Sequence, residues 1–174
     1  ISANNRMSLT VLDPRSTKIT RVLERGPVVR AVEKKCLISK INSFAKACNY
    51  MVLSGRSVPG VTDSFYAQLL SIAKRLNTFT VFDTSGTPLE KGLVRAPSMI
   101  KPNIKEAEKV LQKKLTSLRR IKEAVHAFHA YGIAIVAITM GSRGAYVSNG
   151  TKLVIARPPR ITLCNPVGCG DSFI

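Results

Sequence analysis

Six consecutive apolar residues, Ile133-Ala134-Ile135-Val136-Ala137-Ile138, constrain this chain more than any other stretch. A short, uniformly apolar run between Gly132 and Thr139 reads as a strand with no polar face to offer water. Strands buried on both faces belong to parallel sheets covered by helices. Tyr50-Met51-Val52-Leu53, Phe79-Thr80-Val81-Phe82 and Met99-Ile100 are shorter runs of the same kind. Segments of helical period separate them. Residues 28–47 carry Val28, Val29, Val32, Leu37, Ile41, Phe44 and Ala45 at roughly helical spacing. Thr62-Asp63 is expected to cap a helix reaching Asn77, with Phe65, Leu69, Leu70, Ile72, Ala73 and Leu76 as its apolar stripe. A further helix over 115–131 stops at Gly132. Strand alternating with helix predicts an α/β fold, a mostly parallel Rossmann-like sheet with helices on both faces.

In such sheets ligands bind beyond the carboxyl ends of the strands. Those ends here carry Ser54-Gly55, Asp83-Thr84-Ser85-Gly86, Lys101-Pro102-Asn103 and Thr139-Met140-Gly141-Ser142-Arg143-Gly144. The last leads into a strand over 145–148, a hairpin at Asn149-Gly150, a return strand over 152–155, and a final strand after Pro158-Pro159. The chain then runs Asn165-Pro166-Val167-Gly168-Cys169-Gly170-Asp171-Ser172-Phe173-Ile174. Gly168 and Gly170 let a backbone approach a ligand closely, and N–H groups at a helix start attract phosphate. A carboxylate at Asp171 can take the proton of a hydroxyl that attacks that phosphate. The plain alternative is a turn capped by an aspartate. Asn103 and Glu106 have two readings as well. Three residues apart at a helix start, they form a capping box, or they face one ligand space together.

Taken together and in order, these segments resemble the PfkB-type carbohydrate kinases of the ribokinase-like superfamily, above all the branch that phosphorylates sugar phosphates. Residues 165–172 follow that family's signature, with Cys169 where Ala or Ser is usual. Ser54-Gly55-Arg56-Ser57-Val58-Pro59-Gly60-Val61 is similar to its SGSLPPGV, Asp83 to Gly86 to its DTSG, Lys101 to Glu106 to its KPNxxE, and Thr139 to Ala145 to its SLGxxGA. The resemblance implies an α/β core over 28–174 and, over 1–27, a remnant of a small β lid with its connection. Both ends are expected to be incomplete. It implies ATP with Mg²⁺ and a phosphorylated ketohexose, fructose 1-phosphate or tagatose 6-phosphate, as acceptor. Asp171 would be the base, and the N–H groups of Gly168, Cys169 and Gly170 the anion hole. Lys101, Asn103, Thr139, Gly141 and Gly144 would meet the nucleotide, and Asn103 with Glu106 the metal. Arg6, Ser54, Gly55 and Arg56 would face the sugar phosphate. Arg6 matches the arginine of an R-x-N-x-T pattern whose Asn is here Ser8, and it also reads as a solvated residue near an end. Arg56 stands where the family has a small hydroxyl, and a cation there either grips a phosphate or obstructs the pocket. Another sugar or nucleoside as acceptor is the nearer alternative. An inactive basic fragment that binds nucleic acid is the further one. In intact family members a homodimer formed through the lid is an additional expectation.

Charge bears on that last alternative. Lys and Arg number 27 against 10 Asp and Glu, a formal net charge of +17. The cations are scattered over helix-like segments without interleaved aromatics, so they read as solvated faces rather than a nucleic-acid stripe. Phosphorylated substrates gain from a positive field, but the excess exceeds what they need. Cys36, Cys48, Cys164 and Cys169 show no metal or redox spacing, and His126 and His129 read as helix-surface residues. With no secretory segment or long apolar span, these features point to a cytoplasmic protein without a membrane partner.

Overall fold

The computed structural model describes residues 4–13, 19–159 and 168–174. The expected strand near the start is β1 (Ser8–Leu12), and it pairs antiparallel with β2 (Ile19–Leu23) in a hairpin sheet of its own. Sequence period did not announce β2, because Thr20 and Arg21 interrupt its apolar residues. Helix α1 (Ala31–Ala45) follows, opened by a box in which the Arg30 N–H donates to the Glu33 carboxylate at 2.8 Å.

The main sheet contains β3 (Tyr50–Ser54), β4 (Phe79–Asp83), β5 (Met99–Ile100), β6 (Ile135–Thr139), β7 (Ala145–Ser148) and β8 (Leu153–Ala156), side by side in that order. The first four are parallel, and β6, β7 and β8 pair antiparallel. Crossovers use α2 (Phe65–Arg75), α3 (Thr87–Leu93), α4 (Ile104–Leu111) and α5 (Leu118–His129). Val136, Ala137 and Ile138 are all fully buried. Successive strand residues point to opposite faces, so both faces of β6 are covered, as its composition requires. The core joins Phe82, Ile100 and Val136 of the sheet to Leu69 and Leu70 of α2, Leu89 and Leu93 of α3, and Phe128 of α5. Gly92 belongs to that contact: a Cβ there would run into the Phe82 ring.

Three expectations need correction. Helix α2 begins after Ser64 rather than at Thr62-Asp63, and Ser64 makes no side-chain cap. The Thr62 hydroxyl instead lies 3.1 Å from that of Ser64. The helix expected over 115–131 is trimmed to α5 by Ser117, whose side chain accepts the Arg120 N–H. His126 is exposed as expected, but His129 is half-buried and bonded away from its own helix face. Its Nδ1–H donates to the Ile133 carbonyl at 2.7 Å and its Nε2 lies 3.0 Å from the Ser148 hydroxyl, tying the end of α5 to β7. The final strand expected after Pro158-Pro159, with Cys164, lies outside the described residues. At the other margin β3 has a free edge among the described residues, and its Tyr50 and Val52 side chains are more than half exposed.

Candidate active site

Parallel register brings the chemistry to one edge. Ser54 pairs with Asp83, Phe82 with Ile100 and Ile100 with Val136. Asn103 bridges to Thr139, and the Thr139 N–H donates to the Pro102 carbonyl. Four strand ends therefore terminate together, as the sequence reading required. At their centre the Lys101 ammonium meets the Asp83 carboxylate at 3.0 Å, with side chains only 6 % and 15 % exposed. A charge so buried is tolerated only with a partner. Asp83 is the residue that sequence reasoning left out of the site. The signal was its position after a buried strand, but nothing in the spacing pairs it with a lysine 18 residues on.

Asn103 and Glu106 form the capping box. The Asn103 side-chain oxygen accepts the Glu106 N–H at 3.0 Å, and Glu106 accepts the Asn103 N–H at 2.9 Å. The box leaves a second carboxylate oxygen on Glu106. Burial pushes the Glu106 carboxyl above its usual range. The Asn103 backbone hydrogen bond opposes that, the Asp83 charge adds to it, and Lys101 pulls it back. Two carboxylates thus share the field of one ammonium, with the Asn103 amide oxygen held on the Glu106 N–H. That all-oxygen set suits Mg²⁺ arriving with phosphates, and a cation there would relieve the repulsion felt by Glu106. Among the described residues no group of three or more His, Cys, Asp or Glu side chains forms a cage for a resident ion.

The C-terminal turn comes to the same place. A Cβ on Gly170 would sit 3.7 Å from the Lys101 Nζ, so backbone and ammonium are neighbours. Gly168 has φ +85°, and the Ser172 N–H and hydroxyl both donate to its carbonyl, closing the turn. Asp171 opens a single 3-10 turn, Asp171–Phe173, and is exposed, as is Cys169. Asn165, Pro166 and Val167 of the same motif lie outside the described residues. Beyond β6, Gly141–Arg143 form a second 3-10 turn. Gly144, at φ +94°, returns the chain so tightly that a Cβ would strike the Ala156 carbonyl.

The sugar-side residues gather beside this cluster. The Gly55 N–H donates to the Asp83 carbonyl at 3.0 Å. Arg6 packs against Gly26, and its charge is felt by the Tyr66 phenol, whose hydroxyl reaches the carbonyls of Ser54 and Gly55. Arg56 is exposed and lines an open cleft of ≈ 520 Å³ with Ser57, Ser85, Asn103, Glu106 and Lys109. Lys105 lines it too, so three cations ring a cleft that also holds Asp63. Lys105 and Lys109 were not singled out from the sequence, where lysines on a helix look like solvated charge. A larger hollow along Leu118, Lys122 and His126 of α5 touches none of the strand ends. Chemistry points to the smaller one.

The model of the pfkB family carbohydrate kinases matches residues 7–174. A tagatose-6-phosphate kinase of Staphylococcus epidermidis is 32 % identical over 158 residues, covering 89 % of this chain and 51 % of that protein. A 1-phosphofructokinase of Rhodobacter capsulatus is 28 % identical over 170 residues, covering 97 % of this chain and 54 % of that one. Among solved structures, the tetrameric inhibited form of phosphofructokinase-2 from Escherichia coli superposes with a TM-score of 0.87 at 25 % identity. That match covers 97 % of this chain and 56 % of the other. The chain thus spans about half the length of the relatives it matches.

Proposed function

Because this chain belongs to the pfkB family of carbohydrate kinases, we propose that it carries the phosphoryl-transfer half of a sugar-phosphate kinase, using Mg²⁺-ATP and a phosphorylated ketohexose. One observation carries the reading. The buried Lys101 ammonium, held by Asp83 at 3.0 Å, lies beside Gly170, so segments far apart in sequence share one point at the sheet's carboxyl edge. An ammonium and glycine N–H groups there suit an anion that gains charge during reaction.

The chemistry follows from that geometry. A sugar hydroxyl attacks the γ-phosphorus; an O–P bond forms while the bond to the β-phosphate oxygen breaks, and ADP leaves. Asp171 takes the hydroxyl proton. Lys101 and the N–H groups of Gly168, Cys169 and Gly170 stabilise the phosphoryl oxygens. Asn103 and Glu106 would hold Mg²⁺, and Thr139, Gly141 and Gly144 would lie along the nucleotide phosphates. When bound there, Mg²⁺ would supply positive charge to offset that of the phosphates. Arg6, Ser54, Gly55 and Arg56 receive the sugar phosphate. Fructose 1-phosphate and tagatose 6-phosphate are the acceptors we favour, since the related proteins are named for them or their kinases. A homodimer through the β1–β2 hairpin suits the exposed Leu9, Val22 and Leu23. Among the described residues no helix is long and apolar enough to cross a membrane, and a cytoplasmic setting fits a substrate of central sugar chemistry.

The test is ADP release from Mg²⁺-ATP with either sugar phosphate, by this chain and by Asp171→Asn. Turnover that falls at least about a hundredfold in the variant supports the reading. Equal turnover in both proteins removes Asp171 as base. A folded chain without turnover sinks the claim that this half suffices for catalysis.

A further inference from the structure

Gly55 is held in a backbone conformation that nothing sterically demands. Its φ is +92°, yet no atom lies within 4 Å of where a Cβ would project. Crowding does not explain the turn; hydrogen bonding does. Both polar groups of its peptide are engaged from outside the loop. The Gly55 N–H donates to the Asp83 carbonyl at 3.0 Å. The Gly55 carbonyl accepts the Thr84 hydroxyl at 2.7 Å and the Tyr66 hydroxyl at 3.1 Å, one donor for each lone pair. The same Tyr66 oxygen lies 3.1 Å from the Ser54 carbonyl, so its one proton is shared between the two. Tyr66 is fixed in turn, because its ring meets the fully buried Phe82 edge-on at 5.6 Å.

We propose that Tyr66 and Thr84 are positioning residues that clamp the loop of Ser54 and Gly55 in the conformation that receives the acceptor sugar. The inference rests on the reading of Ser54, Gly55 and Arg56 as the sugar side. Two carbonyl oxygens that would repel a sugar phosphate are occupied by hydroxyl donors. The loop is also pinned to the strand end that holds Lys101 through Asp83. Arg56 and Ser57 follow directly and line the cleft. Freeing Gly55 frees the direction in which they leave. Neither clamp residue needs to touch the sugar.

Tyr66→Phe and Thr84→Val each remove one hydroxyl and keep the packing shape. The decisive readouts are hydrogen exchange at the Gly55 amide and, separately, the affinity for tagatose 6-phosphate or fructose 1-phosphate and for Mg²⁺ with a non-hydrolysable ATP analogue. We expect Gly55 exchange to accelerate in both variants. Sugar-phosphate Kd, or KM where turnover is measurable, should rise about tenfold, as loss of a net hydrogen bond implies. Nucleotide affinity should stay near wild type, and Tm should fall by only about 2–6 °C. Unchanged Gly55 exchange overturns the clamp. Equal losses for sugar and nucleotide overturn the positioning role, since general loosening would weaken both. A wild-type chain that binds neither sugar phosphate overturns the functional reading, and with it the ligand half of this one. Faster Gly55 exchange in Tyr66→Phe would still uphold the clamp itself.

Discussion

Replacing Lys101 by Met should be among the most damaging single changes in this chain, and the cause is the residue left behind. Methionine fills much of the volume of the lysine stem, so packing is nearly conserved. What is lost is the charge that neutralises Asp83 at 3.0 Å, in a site where the two side chains are 6 % and 15 % exposed. Removing one member of a buried pair strands the other, at a cost of about 3–5 kcal/mol. The nearby Glu106 charge adds to the penalty, since it lies close enough to feel Asp83. For a domain of this size about 1 kcal/mol moves Tm by roughly 2–4 °C, so a fall of roughly 6–20 °C is expected. Urea unfolding followed by far-UV circular dichroism at neutral pH measures the same quantity by linear extrapolation. The control is Lys101→Met with Asp83→Asn. With both charges gone the double variant should recover most of the loss, so the two changes should be strongly non-additive. A single variant within about 1 kcal/mol of wild type would refute the argument, because that is the range of an exposed pair. A double variant no better than the single would refute it too.

Three other outcomes follow from the same geometry. Glu106→Gln keeps the capping box, because glutamine also accepts the Asn103 N–H. The Glu106 carboxyl is raised in the folded chain, so its contribution to stability is complete below the unfolded value of 4.5 and is lost as pH rises through the folded value. The variant should therefore be at least as stable as wild type at pH 7, yet bind Mg²⁺-nucleotide at least about tenfold more weakly, seen by calorimetry with and without the metal. Gly92→Ala should cost about 1–3 kcal/mol in urea unfolding, because its Cβ meets the buried Phe82 ring in a full core. Cys169 is exposed on the phosphate-side turn, so N-ethylmaleimide should label it and a bound nucleotide analogue should slow that labelling. Mass spectrometry of the peptide decides, and labelling indifferent to nucleotide would remove the turn from the binding site.

The readable parts of this molecule were those in which one stretch of sequence carries its own reason. β6 is legible because six apolar residues leave no polar face, and α2 because its stripe recurs at helical spacing. α3 was not foreseen: Thr87–Leu93 is too short for a period to emerge, and Pro88 in its first turn looks like a break. His129 was misjudged for another reason. Its neighbours on the helix suggest solvent, whereas its partners, Ile133 and Ser148, arrive from elsewhere in the chain. The site divides along the same line. Glycines and acids at strand ends mark where ligands belong. The Asp83–Lys101 pair and the Tyr66 hydroxyl exist only once the crossovers have closed. Tyr66 was passed over because an aromatic in a helix reads as core, and its ring does meet Phe82. The hydroxyl at the other end reaches the carbonyls of Ser54 and Gly55.

The open edge at β3 gives the chain's excess of lysine and arginine a second meaning. A strand edge without a neighbour among the described residues, with Tyr50 and Val52 uncovered, is a template on which another copy's strand can grow. The surplus of positive charge, +17, makes each copy repel the next before such edges meet. That shield depends on the medium. At about 0.01 M ionic strength it reaches roughly 30 Å, but at about 0.15 M only roughly 8 Å. Added salt thus brings copies of this chain together, whereas it would dissolve a complex with nucleic acid. The colloid chemistry of the protein is written on the margin of its sheet, apart from the Asp83–Lys101 pair at its centre.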